Sequence, residues 1–408
     1  MRRILPGIVG NIFEWYEFSL YAYFATDIST QFFPHTAKST ALIETFAVFA
    51  TGFITRPLGA MFFGHYGDKF GRKIMLNVCL ILMAAATCII GLIPTYNSIG
   101  MMSVIVLLIC RMVQGFALGG EYSGSVVYLI ELADPNRKGF FGAMALSGVY
   151  TGLILGSLVS AITVHLAKDN TYHEYAWRLP FLLGIFLAIL GIYIRRHMPE
   201  TKEFSQALQE QQLVGNPTLT ILKTCPFRVL QGIAVNLMPA VASYIVLSYL
   251  PTHIVEHTRF QLDYALFINS LTMLLVLFVI AAVGYYSDKI GRKVFLLAGT
   301  ILAFLGAYPL FVLTSSNSLW IIFCAQTTLL LLASLTESVI PATLSRLFPV
   351  HLRYTGVAIS LNVSNGFFGG TAPLVAIYLV QNISLAAPGL YIMVMAIISL
   401  CAVLRIHA

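Results

Sequence analysis

Hydrophobic residues gather into runs of roughly 20, long enough to cross a bilayer as helices. Twelve such runs stand out, at about 7–31, 41–64, 74–93, 99–129, 140–167, 177–196, 227–254, 264–286, 294–314, 317–340, 354–380 and 387–406. None shows the period-two alternation of a barrel strand. The pattern predicts an all-α membrane protein with twelve transmembrane helices. A ten-residue basic pattern then appears twice, as Gly64-His65-Tyr66-Gly67-Asp68-Lys69-Phe70-Gly71-Arg72-Lys73 and Gly284-Tyr285-Tyr286-Ser287-Asp288-Lys289-Ile290-Gly291-Arg292-Lys293, 220 residues apart. A duplicated loop between apolar runs predicts two pseudo-symmetric six-helix bundles. Their expected bounds are residues 1–197 and 226–408, joined by a cytoplasmic linker at 198–225. The linker run Glu203 to Gln212 has helical periodicity but is too polar for lipid, so it is expected to lie along the surface and leave the halves free to rock.

Composition sharpens this picture. The chain is 58% hydrophobic and 10% charged, with mean hydropathy +0.83. Soluble domains carry about 25% charged residues, so most of this surface faces something other than water. With both termini placed in the cytoplasm, eighteen Lys and Arg fall inside and four outside, with Arg56 and Arg111 left within helices. That asymmetry sets the orientation. The net charge of +7 then reflects topology and anionic headgroups rather than a nucleic-acid footprint. Arg2 and Arg3 precede an apolar run that carries Glu14 and Glu17 and no small-residue cleavage site, so it reads as an uncleaved first helix. The six cysteines are scattered, with no disulfide or metal spacing.

Chemistry concentrates where polar residues interrupt apolar helices. Asn11, Glu14, Glu17, Phe18 and Tyr21 share one face of the first helix. Carboxylates cost roughly 2.5–3.5 kcal/mol each near mid-membrane, tolerable on a face that lines water. Glu17, ahead of Glu14, is the candidate for proton exchange. The fourth helix places Arg111, Gln114, Leu118, Glu121 and Ser125 on one face. Arg111 is either a carboxylate receptor or part of the coupling network, and Glu121 is a further proton-coupling candidate. Arg56 reads as structural. Tyr150, Tyr244, Asn362 and Asn365 join Asn11, Tyr21, Gln114 and Arg111 as candidate substrate contacts, with Asn236 weaker. Gly366, Gly369 and Pro373 predict a bend in the eleventh helix, while Gly148, Gly152, Gly156 and Ser160 form a small-residue seam along the fifth. The duplicated segments are candidate gates: Gly64, Asp68, Gly71, Arg72 and Lys73, with Gly284, Asp288, Gly291, Arg292 and Lys293. Their glycines permit tight turns, their aspartates accept from helix amides, and their cations face headgroups. His253-Ile254-Val255-Glu256-His257 matches a zinc-peptidase pattern but sits at a helix end without a catalytic domain, so no metal site is expected.

These motifs together resemble the metabolite:proton symporter branch of the major facilitator superfamily. The basic segments indicate the superfamily. The branch is carried by Gly10-Asn11…Glu14-Trp15-Tyr16-Glu17-Phe18, Arg56-Pro57-Leu58-Gly59, Arg111…Gln114-Gly115-Phe116-Ala117-Leu118-Gly119-Gly120-Glu121 and Trp177-Arg178-Leu179-Pro180-Phe181. Pro199-Glu200-Thr201-Lys202-Glu203-Phe204, Phe348-Pro349…Arg353-Tyr354-Thr355-Gly356 and Phe368-Gly369-Gly370-Thr371-Ala372-Pro373 agree. The resemblance implies the major facilitator fold, alternating access around a central site, and uptake driven by the proton gradient without a cofactor. It implies a monomer in the bacterial inner (plasma) membrane whose partners are a small metabolite, protons and anionic lipids, not nucleic acid. Members carry zwitterions such as proline and betaine, or carboxylates such as 2-oxoglutarate and citrate. The zwitterion is favoured here, since Arg111 suits a carboxylate while tyrosines and an acidic first helix suit a cation. A di- or tricarboxylate held by Arg56 and Arg111 is the alternative, and a drug-exporting antiporter or a non-transporting receptor stands further off. No nucleophile–base pair suggests an enzyme. Two features depart from the family: Glu17 stands where Asp is common, and no C-terminal coiled coil follows residue 408, so osmotic regulation through such a tail is not expected.

Overall fold

The computed structural model describes residues 4–35, 37–167, 173–196, 198–210 and 214–406, and among these every regular element is helical. Twelve long helical segments follow in order. They are α1 (Leu5–Tyr23, continued past Phe24 by Ala25–Phe32), α2 (Lys38–Phe70), α3 (Arg72–Leu92), α4 (Met101–Leu132), α5 (Lys138–Ala167) and α6 (Arg178–Arg195). After the linker come α7 (Pro226–His257), α8 (Leu262–Ile290), α9 (Arg292–Leu313), α10 (Leu319–Leu347), α11 (Val350–Asn382) and α12 (Ala387–Leu404). Eleven of them are long and apolar enough to cross a membrane. The exception is α1, whose apolar run is diluted by Asn11, Glu14 and Glu17. Large side chains such as Phe186, Phe227, Phe278 and Trp320 point outward while the interior holds the charges. That inverted distribution belongs to an integral membrane protein.

The first and last described turns, the linker helices and the duplicated motifs lie at one end of the bundle, called here the basic end. The motifs are helix rather than loop. α2 runs to Phe70 and α8 to Ile290, and each turn is a single glycine, Gly71 at φ 108° and Gly291 at φ 102°. Positive φ at these two positions favours glycine over any residue with a Cβ. The helices outrun their apolar stretches because the polar turns of the motifs find partners at the basic end. The linker carries two short helices. Thr201 caps Lys202–Gln209 and Asn216 caps Pro217–Thr224, each side chain accepting from an N-terminal amide.

Proline sets the irregularities of the second six helices. Pro251 frees the carbonyl of Leu247, α7 widens into a π-turn over Ile245–Tyr249, and Asn269 of α8 donates to that carbonyl at 3.2 Å. Pro373 does the same to Gly369, where a second π-turn, Ser364–Gly369, ends in α11. The bend expected there takes this form.

Glycine sets the close contacts of the first six. A Cβ on Gly115 of α4 would stand 2.0 Å from the Gly52 carbonyl oxygen of α2, and one on Gly59 would stand 1.9 Å from that of Phe116. The fifth-helix seam packs against α1, with Gly152 under Ile12 and Gly156 under Ser19. Backbone therefore meets backbone between α2 and α4 and between α1 and α5. Gly115→Ala is expected to destabilise the protein by about 1–3 kcal/mol through overpacking. Gly306→Ala, whose added methyl meets only flexible leucine tips at 3.4 Å, is expected to be neutral or stabilising. Thermal unfolding of the two variants in one detergent checks the contrast.

Candidate functional site

A directed chain of hydrogen bonds crosses the first six helices. Arg111 donates to Gln114 Oε1 at 2.6 Å, Gln114 Nε2 donates to Thr87 Oγ1 at 2.7 Å, and Thr87 donates to Glu17 Oε2 at 2.8 Å. Every donor points toward Glu17. The same Thr87 hydroxyl lies 2.9 Å from the Met83 carbonyl. One hydrogen thus has two acceptors, and the charge on Glu17 decides which takes it. Thr87 was not singled out in the sequence, where a lone threonine in an apolar helix gives no distinguishing signal.

Arg111 itself sits in an aromatic cage. Its guanidinium carbon lies 4.5 Å from the Tyr21 ring centre, 4.6 Å from Phe49 and 4.7 Å from Phe18. The group is buried, yet Nε and Nη2 find no hydrogen-bond acceptor among the described residues. The hydroxyl of Tyr21 is used structurally, donating to the Thr45 carbonyl at 3.1 Å. The ring faces thus hold the guanidinium, and its Nε and Nη2 edge is left unpaired.

Arg56 is not confined to its own bundle. It donates from Nε to Asn362 Oδ1 at 2.7 Å and from Nη1 to the Tyr244 hydroxyl at 3.2 Å, joining α2 to α11 and α7. Asn362 also donates to the Gly119 carbonyl of α4 at 2.8 Å. Beside this crossing, Ser243 donates to Glu337 of α10 at 3.1 Å, and Tyr150 faces the same carboxylate. Glu337 was not singled out in the sequence, although a carboxylate in an apolar run is the signal that marked Glu14 and Glu17. Asn365 stands slightly apart, accepting from Asn236 at 3.2 Å.

The remaining acids differ from one another. Glu121 is held by Arg195, which also donates to the carbonyls of Leu76 at 2.8 Å and Pro6 at 3.1 Å. Arg195, one of the eighteen Lys and Arg assigned to the inside, is buried, and it pins Glu121. Gly10 makes room for the pair, since a Cβ there would stand 1.9 Å from the Glu121 carboxylate and 2.1 Å from the guanidinium. Glu14 is buried with neither oxygen hydrogen-bonded, among the charges of Glu121, Arg56, Arg195 and Glu17. Asn11 ties α1 to Ser125 of α4 and Ala145 of α5, both at 3.0 Å. Away from this region, His253 is flanked by the hydroxyls of Tyr249 at 3.3 Å and Ser315 at 3.0 Å, and no group of three metal-binding side chains occurs among the described residues.

At the basic end the two sets of helices are latched. Asp68 accepts from the amides of Tyr354 at 3.1 Å and Thr355 at 2.8 Å, capping α11. Asp288 accepts from those of Gly139 at 2.7 Å and Phe140 at 2.9 Å, capping α5. Arg72 is buried rather than facing outward. It bonds Glu131 at 3.1 Å and the Val350 carbonyl at 2.8 Å, while Glu131 also meets Arg353 at 3.0 Å. The linker closes the cluster. Phe204 lies 4.7 Å under the Arg72 guanidinium, and Glu203 bonds Arg353 and Lys138. Burial works to raise the Glu203 carboxyl, but the hydrogen bond and charge of Arg353, then Lys138, hold it below its ordinary value. Its contribution is therefore full above the ordinary carboxylate range and is lost as pH falls through the depressed one. Of the gate candidates, Asp68, Arg72 and Asp288 lie in these contacts, Lys73 donates its amide to Glu200 at 3.2 Å, and Gly64 lies against Thr355. Gly284 lies against Ala143, Arg292 donates to the Ala342 carbonyl at 3.3 Å, and Lys293 to that of Ile406 at 2.8 Å.

Twelve helices in two sets, polar groups between them and twin latches at one end define a secondary transporter fold. The sequence profile of the Major Facilitator Superfamily matches residues 18–373, and the chain belongs to that family. It is 33% identical to the "Proline/betaine transporter" of Salmonella typhimurium, over 98% of this chain and 82% of that one. It is 32% identical to the "Glycine betaine/proline/ectoine/pipecolic acid transporter OusA" of Dickeya dadantii, over 98% of this chain and 81% of that one. Among solved structures, the proton:xylose symporter XylE bound to 6-bromo-6-deoxy-D-glucose shares the fold, with TM-score 0.78, 19% identity, and coverage of 99% of this chain and 94% of that one.

Arg195→Gln leaves Glu121 a buried carboxylate without its ion partner and is expected to cost about 3–5 kcal/mol, whereas Glu121→Gln with Arg195→Gln should recover most of that loss. Thermal unfolding of the single and double variants measures it, and equal losses in the two would contradict the pairing.

Proposed function

We propose that this chain is a proton-coupled importer of a small zwitterionic solute of the proline/betaine class, working by alternating access. The observation that carries the reading is Arg111, with an unpaired N–H edge, three ring faces around it and a donor chain to Glu17. A guanidinium edge with two unpaired nitrogens suits a substrate carboxylate. The printed names of the relatives favour the same class. A dicarboxylate held by both arginines has less support, because Arg56 already serves Asn362 and Tyr244.

Coupling follows from the chain. While Glu17 is ionised it draws the Thr87 hydrogen, which orients Gln114 and holds Arg111 back. A proton on Glu17 turns the Thr87 hydrogen toward Met83 and slackens the hold on Arg111, which then turns to the substrate. Glu14, within range of the Glu17 charge, is the second station for that proton, while Glu121 stays fixed. Breakage of the latches lets the basic end open, with the six-helix sets rocking about the linker. We place that end in the cytoplasm of a bacterial cell, the protein in the inner membrane as a monomer, and the driving force in the proton gradient without a cofactor. Each proton supplies about 2.3 kcal/mol per 100 mV plus about 1.4 kcal/mol per pH unit, enough for substantial accumulation.

Proteoliposomes with an alkaline, negative interior test the substrate class. Labelled proline should accumulate, betaine should compete and a protonophore should collapse the gradient. Uptake of 2-oxoglutarate with no proline uptake would instead favour the dicarboxylate reading.

A further inference from the structure

The two halves of the basic end differ in how their cations are neutralised. In the first, Arg72 meets Asp68 at 3.3 Å and Glu131 at 3.1 Å, and Glu131 also serves Arg353. Glu131 is the penultimate residue of α4. The penultimate residue of α10 is Arg346, so the second half carries a cation where the first carries the shared acid. Arg346 lies close enough to Arg292 for their charges to repel. Asp288, the acid at that spot, spends both oxygens on the amides of α5 and reaches Arg292 only at 3.9 Å.

The excess charge surrounds a space. Arg228, Arg292, Lys293, Arg346 and Arg405 line a cavity of about 590 Å³ between the ends of α7, α9, α10 and α12. A second cavity of about 410 Å³ continues from it, sharing Gln231 and Arg405, and is walled by Phe227, Leu230, Ala234 and Ile398 of α7 and α12. Phe227 is 84% exposed and Leu230 61% exposed, on the lipid-facing surface. A cationic pocket at the end of the bundle therefore opens into an apolar groove on its flank.

We propose that this composite site binds one anionic phospholipid, with its phosphate in the basic pocket and an acyl chain in the α7–α12 groove. Charge complementarity selects the headgroup, since guanidinium forks grip phosphate oxygens bidentately. The groove selects a lipid over a soluble phosphate. Each cation near the headgroup is worth about 1 kcal/mol, so loss of two should weaken binding about thirtyfold.

The test uses the purified full chain in neutral detergent, titrated with phosphatidylglycerol, phosphatidylcholine or inorganic phosphate, and read by native mass spectrometry and thermal unfolding. Phosphatidylglycerol should bind more tightly than phosphatidylcholine. The Arg346→Gln/Arg405→Gln variant should lose about thirtyfold in that affinity while unfolding at the wild-type temperature without lipid. Ala234→Trp, which fills the groove and leaves the cations alone, should also weaken it and keeps the test standing if the first variant folds poorly. Equal affinity for the two lipids would overturn the proposal. So would protection by inorganic phosphate equal to that of the lipid, with Ala234→Trp silent, because that pattern describes a soluble anion.

Discussion

A charge inside a hydrocarbon-facing bundle must find a partner, find water or shed itself, and this requirement arranges the interior of the protein. Arg195 and Glu121 answer it by pairing, with Gly10 clearing the space between them. Arg72, Glu131 and Arg353 answer it as a cluster closed by the linker. Arg56 answers it across the interface, through neutral amide and hydroxyl groups. Among the described residues, Arg111, Glu14 and Glu17 combine buried atoms that lack a hydrogen bond with the lack of any ion pair: two nitrogens of Arg111, both oxygens of Glu14 and one of Glu17. Structural charges are satisfied and the leftover ones converge, which is the arrangement of a site rather than of a core.

The leftover groups are connected as well as close. Two side chains, Gln114 and Thr87, link Arg111 to Glu17 through three hydrogen bonds, and the one next to Glu17 is a hydroxyl with one hydrogen and two acceptors. In the proposed cycle such a device converts the presence of a proton at one end into the freedom of a guanidinium at the other, with little backbone movement. The contact at Arg56 and the latches lie farther toward the basic end, on helices from both sets. Loss of those contacts is the larger motion, and the glycine-rich approach of α2 to α4 ties the two regions together through a stiff backbone.

Much of this was legible in the sequence, for physical reasons. Apolar length fixes a spanning helix, so the runs were readable; charge on an apolar helix is costly, so Glu14, Glu17, Arg111 and Glu121 stood out. Partners were harder to read. Arg195 sits at the end of an apolar run and looks like a loop cation until α1 and α4 close around it. Thr87 costs little in an apolar helix and carries no mark. The duplicated segments looked like loops because polarity, not helicity, is what the pattern shows, and only Gly71 and Gly291 leave the helix. Glu337 carried the right signal and was passed over beside the fuller pattern of the first helix.

The central claim is that Glu17 carries the coupling proton while Arg111 and its cage carry the solute. Glu17→Gln keeps the shape and the Thr87 contact but cannot exchange a proton. In proteoliposomes loaded with unlabelled proline, this variant should still exchange internal for labelled external proline, yet fail to accumulate it under an imposed proton gradient. Full proton-driven accumulation by Glu17→Gln would contradict the account.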